Sequence, residues 1–186
     1  MTLFLHLHFP AGHPYEGRSL ELFASTTFQK DALDFPEVAT FGSGPKDISE
    51  PALRKNQAMY RACLFDADAG ALRDDYQAPL KQRFIDLVDK SDVRGMKSKL
   101  GGEPVLRDDE LVPRTILGRP AVFLFQLQGR LRYPRVAGGP DQVVGGTRRR
   151  PLYGEQTFFE LFQGSKLYAF GTEEGDPSEV YLLCLR

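Results

Sequence analysis

The chain opens on a strict alternation. Leu3, Leu5, Leu7 and Phe9 fall on one side and Phe4, His6 and His8 on the other, the two-residue period of a half-buried β-strand. Gly12, Pro14 and Gly17 punctuate the next stretch as a turn, and Ser19 to Ala24 returns as a second strand, so the opening predicts a hairpin. From Ser25 to Ser49 the text is polar and broken by Pro36, Gly42, Gly44 and Pro45, which predicts an excursion over the surface. Ser49-Glu50-Pro51 then predicts a short helix, because serine can cap and proline fits the first turn. Met59 to Phe65 alternates as a strand. Ala78 to Asp89 sets Leu80, Phe84, Leu87 and Val88 on one stripe, with Lys81, Arg83, Asp86 and Asp89 facing out, and predicts one substantial helix.

In the second half, Gly101, Gly102 and Pro104 make a turn, a polar spacer leads to Gly118 and Pro120, and the apolar run Ala121 to Leu127 reads as a largely buried strand. A Gly/Pro/Arg-rich connector runs from Gly129 to Gly154, and three strands follow: Thr157 to Phe162, Lys166 to Phe170 and Glu179 to Leu185. Phe4-Leu5-His6-Leu7-His8-Phe9 with Leu20-Glu21-Leu22-Phe23 is echoed by Phe123-Leu124-Phe125-Gln126-Leu127-Gln128 with Phe159-Glu160-Leu161-Phe162. The expected fold is therefore α+β, mainly antiparallel β with a duplicated hairpin core and one substantial helix. It forms a single domain over 1–186 with two β-rich halves, about 1–95 and 96–186.

Composition narrows the classes. A chain of 186 residues suits one domain with a full core, and 41% hydrophobic with 26% charged residues is ordinary for a globular protein. A net charge of -1 excludes whole-molecule steering toward nucleic acid or anionic lipid, so any electrostatic partner meets a local patch. No window approaches the roughly 20 apolar residues of a membrane-spanning helix, and the opening MTLFLHLHFP lacks the features of a secretory signal. Cys63 and Cys184 each sit in an apolar strand-like run, which fits two buried thiols in a reducing compartment; a cytoplasmic location is expected.

Candidate chemistry is sparse. His6 and His8 project to one side of a strand and His13 follows in the turn, a spacing that zinc or iron could use, but the polar face of an amphipathic strand accounts for them and no metal or cofactor is expected. The Asp66-x-Asp68-x-Gly70 run lacks the glutamate of a calcium loop at its twelfth position, Gln77. Glu21 and Glu160 occupy matched positions in the repeat, and a pair of inward carboxylates would suit acid–base catalysis; outward residues of alternating strands is the simpler reading. Neither G-x-S-x-G nor S-x-x-K occurs, and Cys63 reads as an inert core thiol. Arg130, Arg132, Arg135, Arg148, Arg149 and Arg150 against Asp141 leave the connector at +5 (six minus one), making these arginines the candidate partner-binding residues.

The string Lys99-Leu100-Gly101-Gly102-x-Pro104, followed by Arg119-Pro120 and Phe123-Leu124-Phe125-Gln126-Leu127, resembles the YwqG-like family of bacterial proteins over about thirty residues. The chain departs from the family pattern at Glu103 and at Val105 to Leu106, where an aromatic is expected after Gly-Gly-x-Pro. The resemblance implies a duplicated α+β arrangement with antiparallel sheets. By association it also implies a small cytoplasmic immunity protein that neutralises a cognate toxin by direct binding, without catalysis. A small-molecule or metal-dependent enzyme using the histidines or the Glu21/Glu160 pair is the alternative.

Overall fold

A computed structural model describes residues 2–24, 39–40, 44–66, 80–81, 98–128, 131–139, 142–147, 150–154, 158–161, 166–174, 176 and 179–185. The opening hairpin is present: β1 (Thr2–His8) pairs antiparallel with β2 (Arg18–Ala24). The register slips between Leu3 and Leu5, leaving Phe4 as the extra residue of a β-bulge. Phe4 consequently leaves the outward face predicted for it and is buried, edge-on to Tyr133 with ring centroids 5.0 Å apart. The strand predicted at Met59 to Phe65 is β5 (Tyr60–Asp66), on the other side of β2, so the first sheet runs β1-β2-β5.

A mixed seven-stranded sheet forms the centre. Its main path is β3 (Ala39–Thr40), β14 (Tyr181–Leu185), β13 (Lys166–Thr172), β8 (Arg119–Leu127), β7 (Thr115–Ile116) and β4 (Asp47–Ile48), and β6 (Lys99–Leu100) also pairs with β8. The β3–β14 and β4–β7 pairs are parallel and the rest antiparallel. Thus the polar excursion after Ser25 supplies two sheet strands, and residues 25–38 and 41–43 of it lie outside the described residues.

Side chains alternate across this sheet, as strand geometry requires. Leu167, Ala169, Leu182 and Cys184 face the β1-β2-β5 sheet and join Leu5, Leu7, Leu20, Leu22, Ala62 and Leu64 in one core, so the two halves of the chain share it. Tyr168, Phe170, Tyr181, Leu183 and Leu185 face the other way, into a second core with Ile48, Leu53, Ile116 and Phe123. That second face is covered by the helix α1 (Glu50–Met59), through Ala52 and Leu53, and by Leu106 and Val112 of the segment after Gly102.

Helix α1 begins where Ser49-Glu50-Pro51 predicts, with proline in the first turn, but the Ser49 side chain makes no capping hydrogen bond; its carbonyl accepts from Leu53 N. Buried Asn56 acts as a surrogate strand edge: its Nδ2 donates to the Leu182 carbonyl (2.7 Å) and its Oδ1 accepts from Leu182 N (3.0 Å). It thereby satisfies both backbone groups of β14 that β3, pairing only at Cys184 and Leu185, does not reach.

Of the helix predicted at Ala78 to Asp89, Leu80 and Lys81 are the described residues, and 78–79 lie outside them. Leu80 is buried in an antiparallel bridge with Arg135, and residues 82–89 lie outside the described residues. The arginine-rich connector is not a plain loop: it holds β9 (Leu131–Pro134), paired with β12 (Phe158–Leu161), and a two-stranded ribbon of β10 (Gln142–Thr147) and β11 (Arg150–Gly154).

The second hairpin copy expected at Phe123 to Phe162 does not form. The run Phe123 to Leu127 in β8 pairs with β13, whereas Phe159-Glu160-Leu161 in β12 belongs to a separate sheet. Strands β8, β13 and β14 also form an antiparallel run, as β1, β2 and β5 do, but within the larger central sheet.

Replacing Asn56 by Leu keeps its approximate volume but leaves the Leu182 N–H and C=O buried and unpaired. We expect a loss of about 2–6 kcal/mol in urea unfolding, at about 1–3 kcal/mol for each orphaned group; a loss below about 0.5 kcal/mol would show that water or a shifted β3 satisfies them.

Candidate functional site

The Gly101–Gly102 turn, the N-terminal turn and β8 meet at one carbonyl. Between Ala169 and Phe170 the β8–β13 register slips, so Leu124 has no opposite residue, and both Leu124 and Phe125 are buried in the core shared by the two sheets. The Leu124 carbonyl accepts from Gly101 N (2.9 Å) and is bonded to His13 Nε2 (3.0 Å). The other ring nitrogen, Nδ1, accepts from Tyr15 N (3.0 Å), which places the single proton of neutral His13 on Nε2, donating to Leu124. The ring stacks on Phe9 at 4.3 Å between centroids. Burial pushes the His13 pKa down, against the opposing effect of its bond to Leu124.

Gly101 is required here twice over. Its φ of 68° is left-handed, and a Cβ would lie 2.8 Å from His13 Cδ2.

Beyond the turn, the segment 103–113 is held against the sheet by buried polar side chains. Gln126 Oε1 accepts from Val105 N (2.9 Å), and Tyr168 donates its hydroxyl to the Val105 carbonyl (3.0 Å). Glu110 is 3% exposed and Lys166, at the start of β13, is 6% exposed. Lys166 Nζ lies 2.7 and 2.8 Å from the two carboxylate oxygens, which also accept from Arg107 N (2.8 Å) and Arg107 Nε (3.0 Å). Burial alone would raise the Glu110 pKa. Its bonds to Lys166 and Arg107 outweigh that, and the carboxyl is held below its usual range. The same carboxylate, after burial itself, pushes the neighbouring Tyr168 hydroxyl up. The result is a stiff loop that displays Val105 (39% exposed) and Leu111 (46% exposed) among exposed Glu103, Arg107, Asp108 and Asp109.

A second polar chain ties the N-terminal turn to the far end of β13. Tyr15 donates its hydroxyl to the Thr172 carbonyl, and Thr172 Oγ1 donates to buried Glu179 (2.6 Å). Arg119 pairs with Glu179 and with Glu174, the latter at 2.5 Å. Burial pushes the Tyr15 pKa up to about 12, against the nearby Arg18 and the bond to Thr172.

The histidines do not assemble. His6 and His8 stand on the exposed face, 3.4 Å from Glu21 and 3.3 Å from Ser19 respectively, while His13 is turned into the interior. The three-histidine metal reading is therefore corrected, and among the described residues no three His, Cys, Asp or Glu side chains are grouped to hold a metal. Cys63 is also corrected: it is half-buried on the outward side of β5, in register with Glu21 and, through it, His6. Cys184 is a core thiol, and burial pushes its pKa up to about 12.

Glu21 and Glu160 lie in different sheets; Glu160 stands opposite Arg132 in the β9–β12 pair. Of the candidate arginines, Arg132 lies over the Phe158 ring at 4.6 Å and Arg135 donates to the Gly139 carbonyl. Arg150 opens β11, and Arg130, Arg148 and Arg149 lie outside the described residues. Sequence reading missed Glu110 and Lys166 altogether, since 56 positions separate them and neither sits in a motif.

No family model matches the chain, and searches of curated proteins and of solved structures find no significant match.

Two expectations follow. Glu110→Leu should cost about 3–5 kcal/mol in urea unfolding, because it leaves the buried Lys166 ammonium without its carboxylate, and Lys166→Met should cost less, because Arg107 still pairs with Glu110. The double variant should cost less than the sum, and simple additivity would refute the pairing. Gly101→Ala should destabilise more than Gly17→Ala. Both positions carry positive φ, worth about 1 kcal/mol, but only Gly101 faces a packed ring; equal shifts in thermal midpoint would show that His13 moves aside freely.

Proposed function

We propose that this chain is a non-enzymatic protein-binding module, an immunity protein that neutralises a cognate toxin by direct contact. The observation carrying the reading is the 103–113 loop: apolar Val105 and Leu111 are exposed on a segment whose base is locked by Glu110, Lys166, Gln126 and Tyr168. A loop ordered before binding loses little entropy on docking, and an apolar centre with a charged rim is the ordinary anatomy of a protein interface. The finer assignment to toxin neutralisation rests on the resemblance of Lys99-Leu100-Gly101-Gly102-x-Pro104 and Phe123-Leu124-Phe125-Gln126-Leu127 to the YwqG-like family, and a cytoplasmic site of action follows from that reading. The arginines of the second connector, Arg130, Arg132, Arg135, Arg148, Arg149 and Arg150, are the candidate basic residues for contact with an acidic partner.

The test is capture of a partner from the native host with the full chain as bait, together with co-expression against the product of the neighbouring gene. We expect one protein to be retained and its toxicity suppressed. The double variant Val105→Asp/Leu111→Asp should weaken binding by at least about tenfold with an unchanged thermal midpoint. Reversal of Arg148, Arg149 and Arg150 to Glu measures the share of the basic surface. Failure to retain a partner or to protect would end the immunity reading.

A further inference from the structure

The loop has two anchors of different chemistry, one at each end. Its C-terminal anchor is the Glu110–Lys166 ion pair, and its N-terminal anchor is the neutral imidazole of His13, packed against Gly101. We propose that His13 is an acid-released latch: a second proton on its ring breaks the contact between the N-terminal turn and the Gly101–Gly102 turn, freeing the start of the 101–113 segment while its far end stays pinned.

The geometry carries the argument. Nδ1 is an acceptor toward Tyr15 N–H, and Nε2–H is the donor to Leu124, so the ring has no place for another proton. Protonating Nδ1 turns one hydrogen bond into two opposed N–H groups. It also sets a full charge between the Phe9 ring and the Gly101 backbone.

On the described elements packed against His13, the charged and titratable groups are engaged elsewhere. Tyr15 donates to Thr172, and the Glu16 carboxylate accepts from Gly12 N. The Arg18 guanidinium lies over the Tyr15 ring and 3.7 Å from Asp66, and Lys99 Nζ donates to the Glu103 carbonyl. No carboxylate in these contacts is aimed at the imidazole to stabilise its cation.

Because the Gly101 amide shares the Leu124 carbonyl with the ring, disturbing one partner disturbs the other. The far anchor behaves oppositely with pH. Glu110 stays ionised in mild acid, since Lys166 and Arg107 hold its pKa below the usual carboxylate range. Acid should thus open one end of the loop as a hinge and leave the other closed.

The sign is fixed by linkage. A histidine whose folded pKa is lowered takes up its proton more readily in the released state. The latch is therefore at full strength above about pH 6.5 and weakens as pH falls below it. This inference concerns the isolated chain and stands whether or not the loop meets a toxin.

Hydrogen exchange of the full-length protein, at about pH 7.5 and about pH 5 with times scaled for intrinsic rates, tests it. We expect protection of the Gly101 amide, bonded to the Leu124 carbonyl, to fall by about tenfold or more in acid. The Glu110 amide, bonded to the Arg107 carbonyl, should keep its protection. In His13→Phe, which stacks on Phe9 without titrating, the acid-dependent loss should vanish. Should that variant fail to fold, the wild-type NMR titration decides: the imidazole must titrate below 6.5, with the Gly101 and Tyr15 amide shifts following the same midpoint. Unchanged protection at the two pH values, or a His13 titration that leaves those amides unmoved, would overturn the proposal.

Discussion

The carbonyl of Leu124 is the point on which the structure turns. In an unbroken antiparallel ladder it would be committed to a neighbouring strand; the bulge in β8 removes Leu124 from register and leaves its oxygen available to groups from elsewhere in the chain. Two take it: the Gly101 N–H, continuing the short β6 pairing, and the His13 imidazole from 111 residues away. Both acceptor sites are then used inside the core, so a bulge that would otherwise expose a buried polar group becomes a three-way joint. The conformation of the Gly-Gly turn, the tautomer of His13 and the path of the following loop are all set from it.

Much of the fold was legible because alternation is a local signal. The strands at Leu3 to Phe9, Ser19 to Ala24, Met59 to Phe65, Ala121 to Leu127 and in the last thirty residues were read within a few positions, and the short helix after Ser49 likewise. The two-residue strands β3, β4, β6 and β7 were not, since a pair of residues has no period and pairing alone defines them. Leu80, the one described residue of its stripe, departs in the other direction. Its spacing with Phe84, Leu87 and Val88 fits a helical stripe, yet in the fold it is buried in an extended bridge to Arg135. Long-range pairing decides between such readings, and periodicity cannot see it.

The repeat misled for a related reason. Leu20-Glu21-Leu22-Phe23 and Phe159-Glu160-Leu161-Phe162 share four letters, but any amphipathic strand can produce an L/F-E-L-F string. The connectivity joins β8 to β13 and β14 instead, and the match of Tyr181-x-x-Cys184-Leu185 to Tyr60-x-x-Cys63-Leu64 is no more informative. The matched letters do not occupy matching places: Tyr60 faces the core between the sheets and Cys63 faces outward, whereas Cys184 lies between the sheets and Tyr181 faces the second core. The shared letters thus fall on opposite faces of the two strands, and burial follows the face.

The same distinction separates the site from its sequence signals. Charge density drew attention to the connector arginines, while the charges that order the 103–113 loop are Glu110 and Lys166, each unremarkable in its own neighbourhood. Apart, either would be costly to bury; together with Arg107 and Tyr168 they satisfy one another and fix where the loop can lie. Replacing such a pair by matched apolar side chains often costs little, so stability alone does not explain its presence. What an apolar substitute would not supply is direction: Lys166 reaches both carboxylate oxygens and Arg107 two further donors, which determines one loop conformation among many of similar burial. A loop that displays Val105 and Leu111 to solvent has little hydrophobic reason to hold its shape, and the buried charges provide the missing one.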